Sequence, residues 1–132
     1  MEHKKIVVCV DGVFVKDGKI LLLKRNVEPF KGCWHVVGGH VEENESLKAA
    51  VKREFMEETG LDTAVGDVID ARLEETFDRI KVIVAFEVKS AEGEIRLNSE
   101  NAAYGWFDEV PRESVYDYAQ YISNKRASFG KA

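Results

Sequence analysis

Glu54, Glu57 and Glu58 stand at i, i+3 and i+4 in "REFMEETGL", and Glu42, Glu43 and Glu45 come shortly before them. On a helix such positions are surface neighbours, where like charges repel by about 0.2–0.5 kcal/mol even in water. The repulsion grows where the groups are partly desolvated. Close to a helix C-terminus it also works against the dipole. With Leu47 at zero on a helical wheel and about 100° per residue, Glu54 and Glu58 fall about 20° to either side of it, and Glu57 falls beside Ala50. All three acids are thereby expected on the inward side, among Leu47, Ala50, Val51 and Phe55, with Lys48, Lys52 and Thr59 facing the other way. A stabilising arrangement would set the acids among the lysines, or leave them solvated and paired with Lys52 or Arg53. Inward acids ask for compensation that a hard divalent cation provides: Mg²⁺ takes oxygen ligands and is commonly held by a few carboxylates together with substrate phosphates. So loaded, an acidic patch becomes a receptor for phosphate oxygens.

The elements around this stretch are marked by turn and cap residues. Asn44 or Ser46 is the expected N-cap of the helix and Gly60 its C′ residue. Upstream, "IVVCVDGVFVKDGKILLLKR" reads as a hairpin, with strands over 5–15 and 19–25, buried on both faces, and a turn at Lys16-Asp17-Gly18. Asn26 to Cys33 reads as a loop, "WHVV" as a short strand, and Gly38-Gly39 as the turn that breaks it. Downstream, "DVIDARLEETFD" and "RIKVIVAFEVKS" alternate as two strands turning near Asp78-Arg79. Gly93 and the stretch 98–103 then read as loop, "YGWF" as a short strand, and "RESVYDYAQYISNK" as a terminal helix. Strands interrupted by one helix and closed by another predict an α/β fold: a mixed sheet with helices on both faces.

The whole chain bounds the function. Its 132 residues, 45% hydrophobic, suit a single domain over 1–132 with a real core. A net charge of −5 lacks the basic surplus of a nucleic-acid binder, so no nucleic-acid polymer is expected as partner. No apolar run approaches the roughly 20 residues that span a bilayer, and the charged N-terminus leads into a strand pattern rather than a signal peptide. No membrane partner and a cytoplasmic location are expected. Cys9 and Cys33 have no CxxC spacing, and Cys33 with His35 supplies too few ligands for zinc.

Written as a pattern, the acidic stretch is Gly39, five residues, Glu45, seven residues, then Arg53-Glu54-Phe55-Met56-Glu57-Glu58-Thr59-Gly60-Leu61. This resembles the signature of the Nudix hydrolases, enzymes that cleave a nucleoside diphosphate linked to another group. Every polar and glycine position is present at the right spacing. Phe55 stands where the family usually carries a smaller aliphatic residue, and Val37 where many members have Pro. "KILLLKR", "GCWHVVGGHVE" and "YGWFDEVP" extend the likeness over nearly the whole chain.

The resemblance implies the Nudix fold, an α/β/α sandwich on a mixed sheet, and a divalent cation, Mg²⁺ with Mn²⁺ as the alternative. It implies that Glu54, Glu57 and Glu58 bind the cation, with the Gly39 carbonyl as a further ligand and Glu54 also accepting a proton from the attacking water. Arg53 would hold the glutamates in position, and Glu45 would join that network. Glu100, ahead of "NAAYGWF", is the candidate for an additional ligand or base, in competition with Glu74, Glu75 and Asp78. Arg25 is a candidate phosphate contact, and Phe30, Trp34, Phe77 and Tyr104 are candidate stacking surfaces for a base. Thr76-Phe77-Asp78-Arg79 lacks the Pro that marks many ADP-ribose hydrolases and the Tyr of many dinucleoside-polyphosphate hydrolases. The partner implied is therefore a nucleotide, a nucleoside triphosphate or nucleotide sugar before others, with a homodimer also open. The rival is a catalytically silent nucleotide-binding module, but such modules typically lose the acids that this chain keeps.

Overall fold

The computed structural model describes residues 3–112 and Ser114. The chain runs through β1 (Lys5–Lys16), β2 (Lys19–Arg25), β3 (Trp34–His35), β4 (Val37–His40), α1 (Leu47–Thr59), β5 (Asp62–Glu75), β6 (Arg79–Glu92) and β7 (Asn101–Phe107). β1 and β2 form the expected hairpin, with Lys16 opposite Lys19 and Asp17 and Gly18 both at positive φ, the geometry that favours an Asp-Gly pair in a two-residue turn.

β1 organises the sheet. It runs parallel to β6 from Lys5↔Arg79 to Phe14↔Val88, while β5 pairs antiparallel with the far side of β6. On its other side β1 pairs first with β4, from Cys9↔His40 to Gly12↔Val37, and then with β2. β2 in turn holds β3 and β7 on its two sides. Parallel and antiparallel pairs together make the mixed sheet of the expected α/β class.

Along β2 the side chains alternate between two cores. Leu21 and Leu23 join Val10, Phe14, Val51, Phe55 and Phe86 beneath α1. Ile20 and Leu22 join Val13, Val36 and Ala85 on the opposite face, beside Trp34 and Phe107. A sheet buried on both faces matches the sandwich expectation on the α1 side. The terminal helix expected on the other side lies, apart from Arg112 and Ser114, outside the described residues.

Three strand expectations are corrected. β5 begins at Asp62, five residues before the alternation at Asp67, because Leu61 and Thr63 bury directly after the helix cap. β7 begins at Asn101, inside the expected loop, because Arg25 pairs with Asn101 and continues the β2 ladder. Burial of β1 on both faces holds for 10–14 but fails near its start, where Ile6 is 64% exposed beyond the reach of α1.

α1 starts where Ser46 Oγ accepts the Ala49 N–H at 3.1 Å, a cap worth about 1 kcal/mol. It ends at Gly60, whose φ of 76° is easily adopted by glycine and whose N–H donates to the Met56 carbonyl. Ala50, Val51 and Phe55 are buried, as the wheel predicts. Thr59 is not outward: it is fully buried, its hydroxyl donating to the Phe55 carbonyl at 2.6 Å while its own carbonyl accepts from Arg96 N–H at 2.7 Å. The segment after β6 crosses the helix end there and covers it. Lys52 ties the outer side of the helix to β5, through Asp62 at 2.6 Å and the Thr63 carbonyl at 3.1 Å.

Candidate active site

The glycine pair does not form a turn. Gly38 and Gly39 lie within β4, opposite Asp11 and Val10 of β1. Space, rather than a reversal of the chain, explains them: a Cβ on Gly38 would sit 2.5 Å from the Val10 carbonyl oxygen, and one on Gly39 would sit 2.5 Å from Glu54 Oε1. The bare backbone of β4 thus lets the acidic end of α1 lie directly on the strand.

Arg53 gathers the carboxylates. Its Nε and Nη2 donate to the two oxygens of Glu45 at 2.7 and 3.0 Å, a bidentate pair. Nη1 donates to Glu54 at 2.9 Å and Glu57 at 3.2 Å, and Nη2 reaches the His40 carbonyl at 3.0 Å. Glu45 also accepts the Glu42 N–H at 3.0 Å, so the loop before α1 is fastened to the middle of the helix. The guanidinium holds the Glu45 carboxyl below its ordinary range, and the same hydrogen bond raises the pKa of Arg53.

Glu58 sits differently. Only 4% exposed, it accepts from Gly38 N–H at 3.2 Å and from the Asn101 amide at 3.3 Å. Burial, followed by the charge of Glu54, pushes its carboxyl up to about 8. Glu54 is raised too, by burial first, against the pull of Arg53. Glu57 departs from the inward expectation: its side chain is 54% exposed, because the helix turns that position past the edge of β4 toward solvent.

Among the described residues no three Asp, Glu, His or Cys side chains already stand as a ready-made cation site, since Glu54 is turned to Arg53 and Glu58 to Asn101 and Gly38. The donor chemistry nevertheless fits a hard divalent cation. The carboxyls of Glu54, Glu57 and Glu58 and the Gly39 carbonyl are all oxygen donors, and the adjacent carboxyls of Glu54 and Glu58 resist ionising together; Cys9, His35 and His40 border the cleft beside α1.

This cleft of about 650 Å³ opens beside the helix, within the range of nucleotide-sized pockets. Gly39 and the carboxylates Glu54, Glu57 and Glu100 line it together with the cations Arg25, Arg79 and Lys81. Phe30, half exposed in the loop after β2, also borders it, and Arg25 Nε steadies that loop by donating to the Pro29 carbonyl at 2.6 Å. Three of the expected stacking residues are elsewhere. Trp34 packs edge-on against Phe107 at 4.7 Å, Phe77 projects from the β5–β6 turn with 99% exposure, and Tyr104 is on β7; none of them lines the cleft. Nor do Glu74, Glu75 or Asp78, the competitors of Glu100.

The sequence reading missed Arg79, Lys81 and Asn101. Two cations at i and i+2 on a strand share a face, so "RIK" carried a signal for the first pair. Asn101 carried none, because its partner Glu58 is 43 residues away.

The model of the NUDIX domain matches residues 3–123. An ADP-ribose pyrophosphatase of Methanocaldococcus jannaschii is 57% identical over 54 residues, which span 41% of this chain and 32% of that protein. A CTP pyrophosphohydrolase of Escherichia coli is 32% identical over 99 residues, covering 74% of this chain and 73% of the relative. The solution structure of the E. coli ORF135 protein superposes with a TM-score of 0.76 at 27% identity, over 97% of this chain and 94% of that one. The residues gathered by Arg53 are those of the Nudix pattern, and with the match over 3–123 the chain belongs to the NUDIX family, hydrolases of phosphoric anhydride bonds that generally need a divalent metal ion.

Proposed function

We propose that this chain hydrolyses, with Mg²⁺ bound, a diphosphate linkage in a nucleoside diphosphate-X substrate, a nucleoside triphosphate or a nucleotide sugar before others. The observation that carries the reading is one cleft lined both by carboxylates, among them Glu54 ordered by Arg53, and by the cations Arg25, Arg79 and Lys81. A polyphosphate has need of both.

Glu54, Glu57 and Glu58, with the Gly39 carbonyl, would hold the cation, and Glu100, which lines the same cleft, would add a donor. When bound, the cation supplies positive charge that offsets the phosphate oxygens and the departing group. Glu54 accepts the proton of the attacking water as its oxygen bonds to phosphorus and the bridging P–O bond breaks. The bridging electrons leave with X-phosphate, or with pyrophosphate from a triphosphate, and a nucleoside monophosphate remains. Arg53 and Glu45 keep Glu54 and Glu57 from swinging away. Arg25, Arg79 and Lys81 take the outer phosphate charge, and the exposed Phe30 ring offers the base a surface. Two relatives named for ADP-ribose and CTP support a nucleotide substrate of this general kind.

The test is a mass-spectrometric product screen with Mg²⁺ or Mn²⁺ over nucleoside triphosphates, ADP-ribose, nucleotide sugars and dinucleoside polyphosphates. Release of a nucleoside monophosphate is expected, with kcat lowered about 10²-fold or more in Glu54→Gln. Tight binding without turnover across the panel would replace the hydrolase by a nucleotide-binding module.

A further inference from the structure

Glu58 is the buried member of the acidic set, and what holds it does not come from the acidic stretch. One oxygen accepts from Gly38 N–H of β4; the other accepts from Asn101 Nδ2 of β7. Asn101 is itself 5% exposed and lies at the first position of its strand, opposite Arg25 in the β2 ladder. Its neighbour Glu100 faces the cleft, and the Glu100 carbonyl accepts from Asn26 N–H at 2.7 Å, so this strand start is fixed on both sides.

An amide presents oxygen on one side and NH₂ on the other, and whatever sets its rotation decides which end meets a carboxylate. Asn101 Oδ1 lies 2.9 Å from His35 Nε2, and Nδ2 lies 3.1 Å from Asn98 Oδ1. His35 Nδ1 lies 2.6 Å from the Val36 carbonyl, and the single proton of the neutral ring, carried on Nε2, is the one that can donate to the Asn101 oxygen. A chain of short polar contacts therefore runs from β3 through β7 to the last turn of α1, joining three elements that share no local sequence.

We propose that Asn101 and His35 are positioning residues for the metal site: His35 sets the rotation of the Asn101 amide, whose NH₂ then holds Glu58 as an oxygen donor for the cation. The inference rests on the metal-dependent reading above and adds two residues that lie outside the acidic stretch. A carboxylate fixed by a buried amide is preorganised, and loss of such an outer hydrogen bond typically weakens metal binding without removing a ligand.

Mn²⁺ binding, read by the electron paramagnetic resonance of free Mn²⁺ without substrate, tests the idea. Asn101→Leu is expected to weaken Mn²⁺ binding by about tenfold or more, and His35→Phe, which leaves no donor for the Asn101 oxygen, to weaken it in the same direction, whereas a folded His35→Phe with unchanged affinity removes His35 from the inference. The second measurement is made on the unaltered protein: the side-chain NH₂ resonances of Asn101 are expected to shift on Mg²⁺ titration and to exchange slowly with solvent. A folded Asn101→Leu with unchanged Mn²⁺ affinity overturns this inference alone, as do Asn101 resonances that ignore Mg²⁺. Absence of Mn²⁺ binding by the unaltered chain would overturn the proposed function, and this inference with it.

Discussion

Arg53 makes five hydrogen bonds to four residues, and each of its N–H groups has a direction that a lysine ammonium cannot reproduce. Arg53→Lys would keep the charge but lose the bidentate grip on Glu45, leaving Glu54 and Glu57 without a fixed orientation. The expected outcome is a kcat about tenfold to a hundredfold lower, with KM for the nucleotide changed much less, measured by steady-state kinetics on the best substrate of the product screen. An equal rise in KM would instead mean that Arg53 binds substrate directly. At this scale the sequence was informative: the charge and spacing of Glu45, Arg53, Glu54, Glu57 and Glu58 already imply a helix-borne cluster. It could not separate the exposed Glu57 from the buried Glu58, since they are adjacent on the helix and differ only in whether β4 covers them.

At the scale of elements, α1 is seated by a gap in β1. A Cβ on Gly12 would meet the Phe55 ring at 2.4 Å and Val51 Cγ1 at 2.9 Å, so the glycine makes room for the aromatic side chain that departs from the family pattern. Gly12→Ala would overpack this contact and is expected to cost about 1–3 kcal/mol of stability. Adding Phe55→Leu should restore part of the loss, so that the double variant is less destabilised than the sum of the two single ones. Chemical denaturation of all four proteins checks this, and strict additivity would show that the helix shifts to absorb the methyl group. Both Gly12 and Phe55 are plain in the sequence, yet their pairing is a meeting of a strand and a helix 43 positions apart. No local periodicity encodes it.

At the scale of the whole molecule, His35 sits where β3, β7 and the acidic end of α1 converge. Burial lowers its pKa from 6.5, outweighing the raising contacts with Asn101 and the Val36 carbonyl; Arg25 also lowers it and Asp11 raises it. The unfolded chain therefore takes up a proton first as the pH falls past 6.5. Stability from the neutral, buried ring is complete above that value and is lost progressively below it. His40, lowered mainly by burial as well, acts in the same direction. Denaturation of the metal-free protein at pH 7.5 and 5.5 is expected to show a larger loss of stability for the unaltered chain than for His35→Gln. Equal losses would place the acid sensitivity on other groups.

By itself the sequence determined the class of fold, the helix with its Gly60 end and an N-cap at Asn44 or Ser46, of which the structure uses Ser46, the Asp17-Gly18 hairpin and the run of carboxylates on that helix. Tertiary structure alone decided that Gly38-Gly39 is a strand rather than a turn, that Thr59 is buried, and that Arg79 and Lys81 share a cleft with Glu54. It also decided that Trp34, Phe77 and Tyr104 do not line that cleft, and that Asn101 reaches Glu58. The physical reason is common to all of these. Burial and hydrogen-bond partnership depend on which strand lies alongside which, and β1, by pairing with β2, β4 and β6, brings together residues that are far apart along the chain.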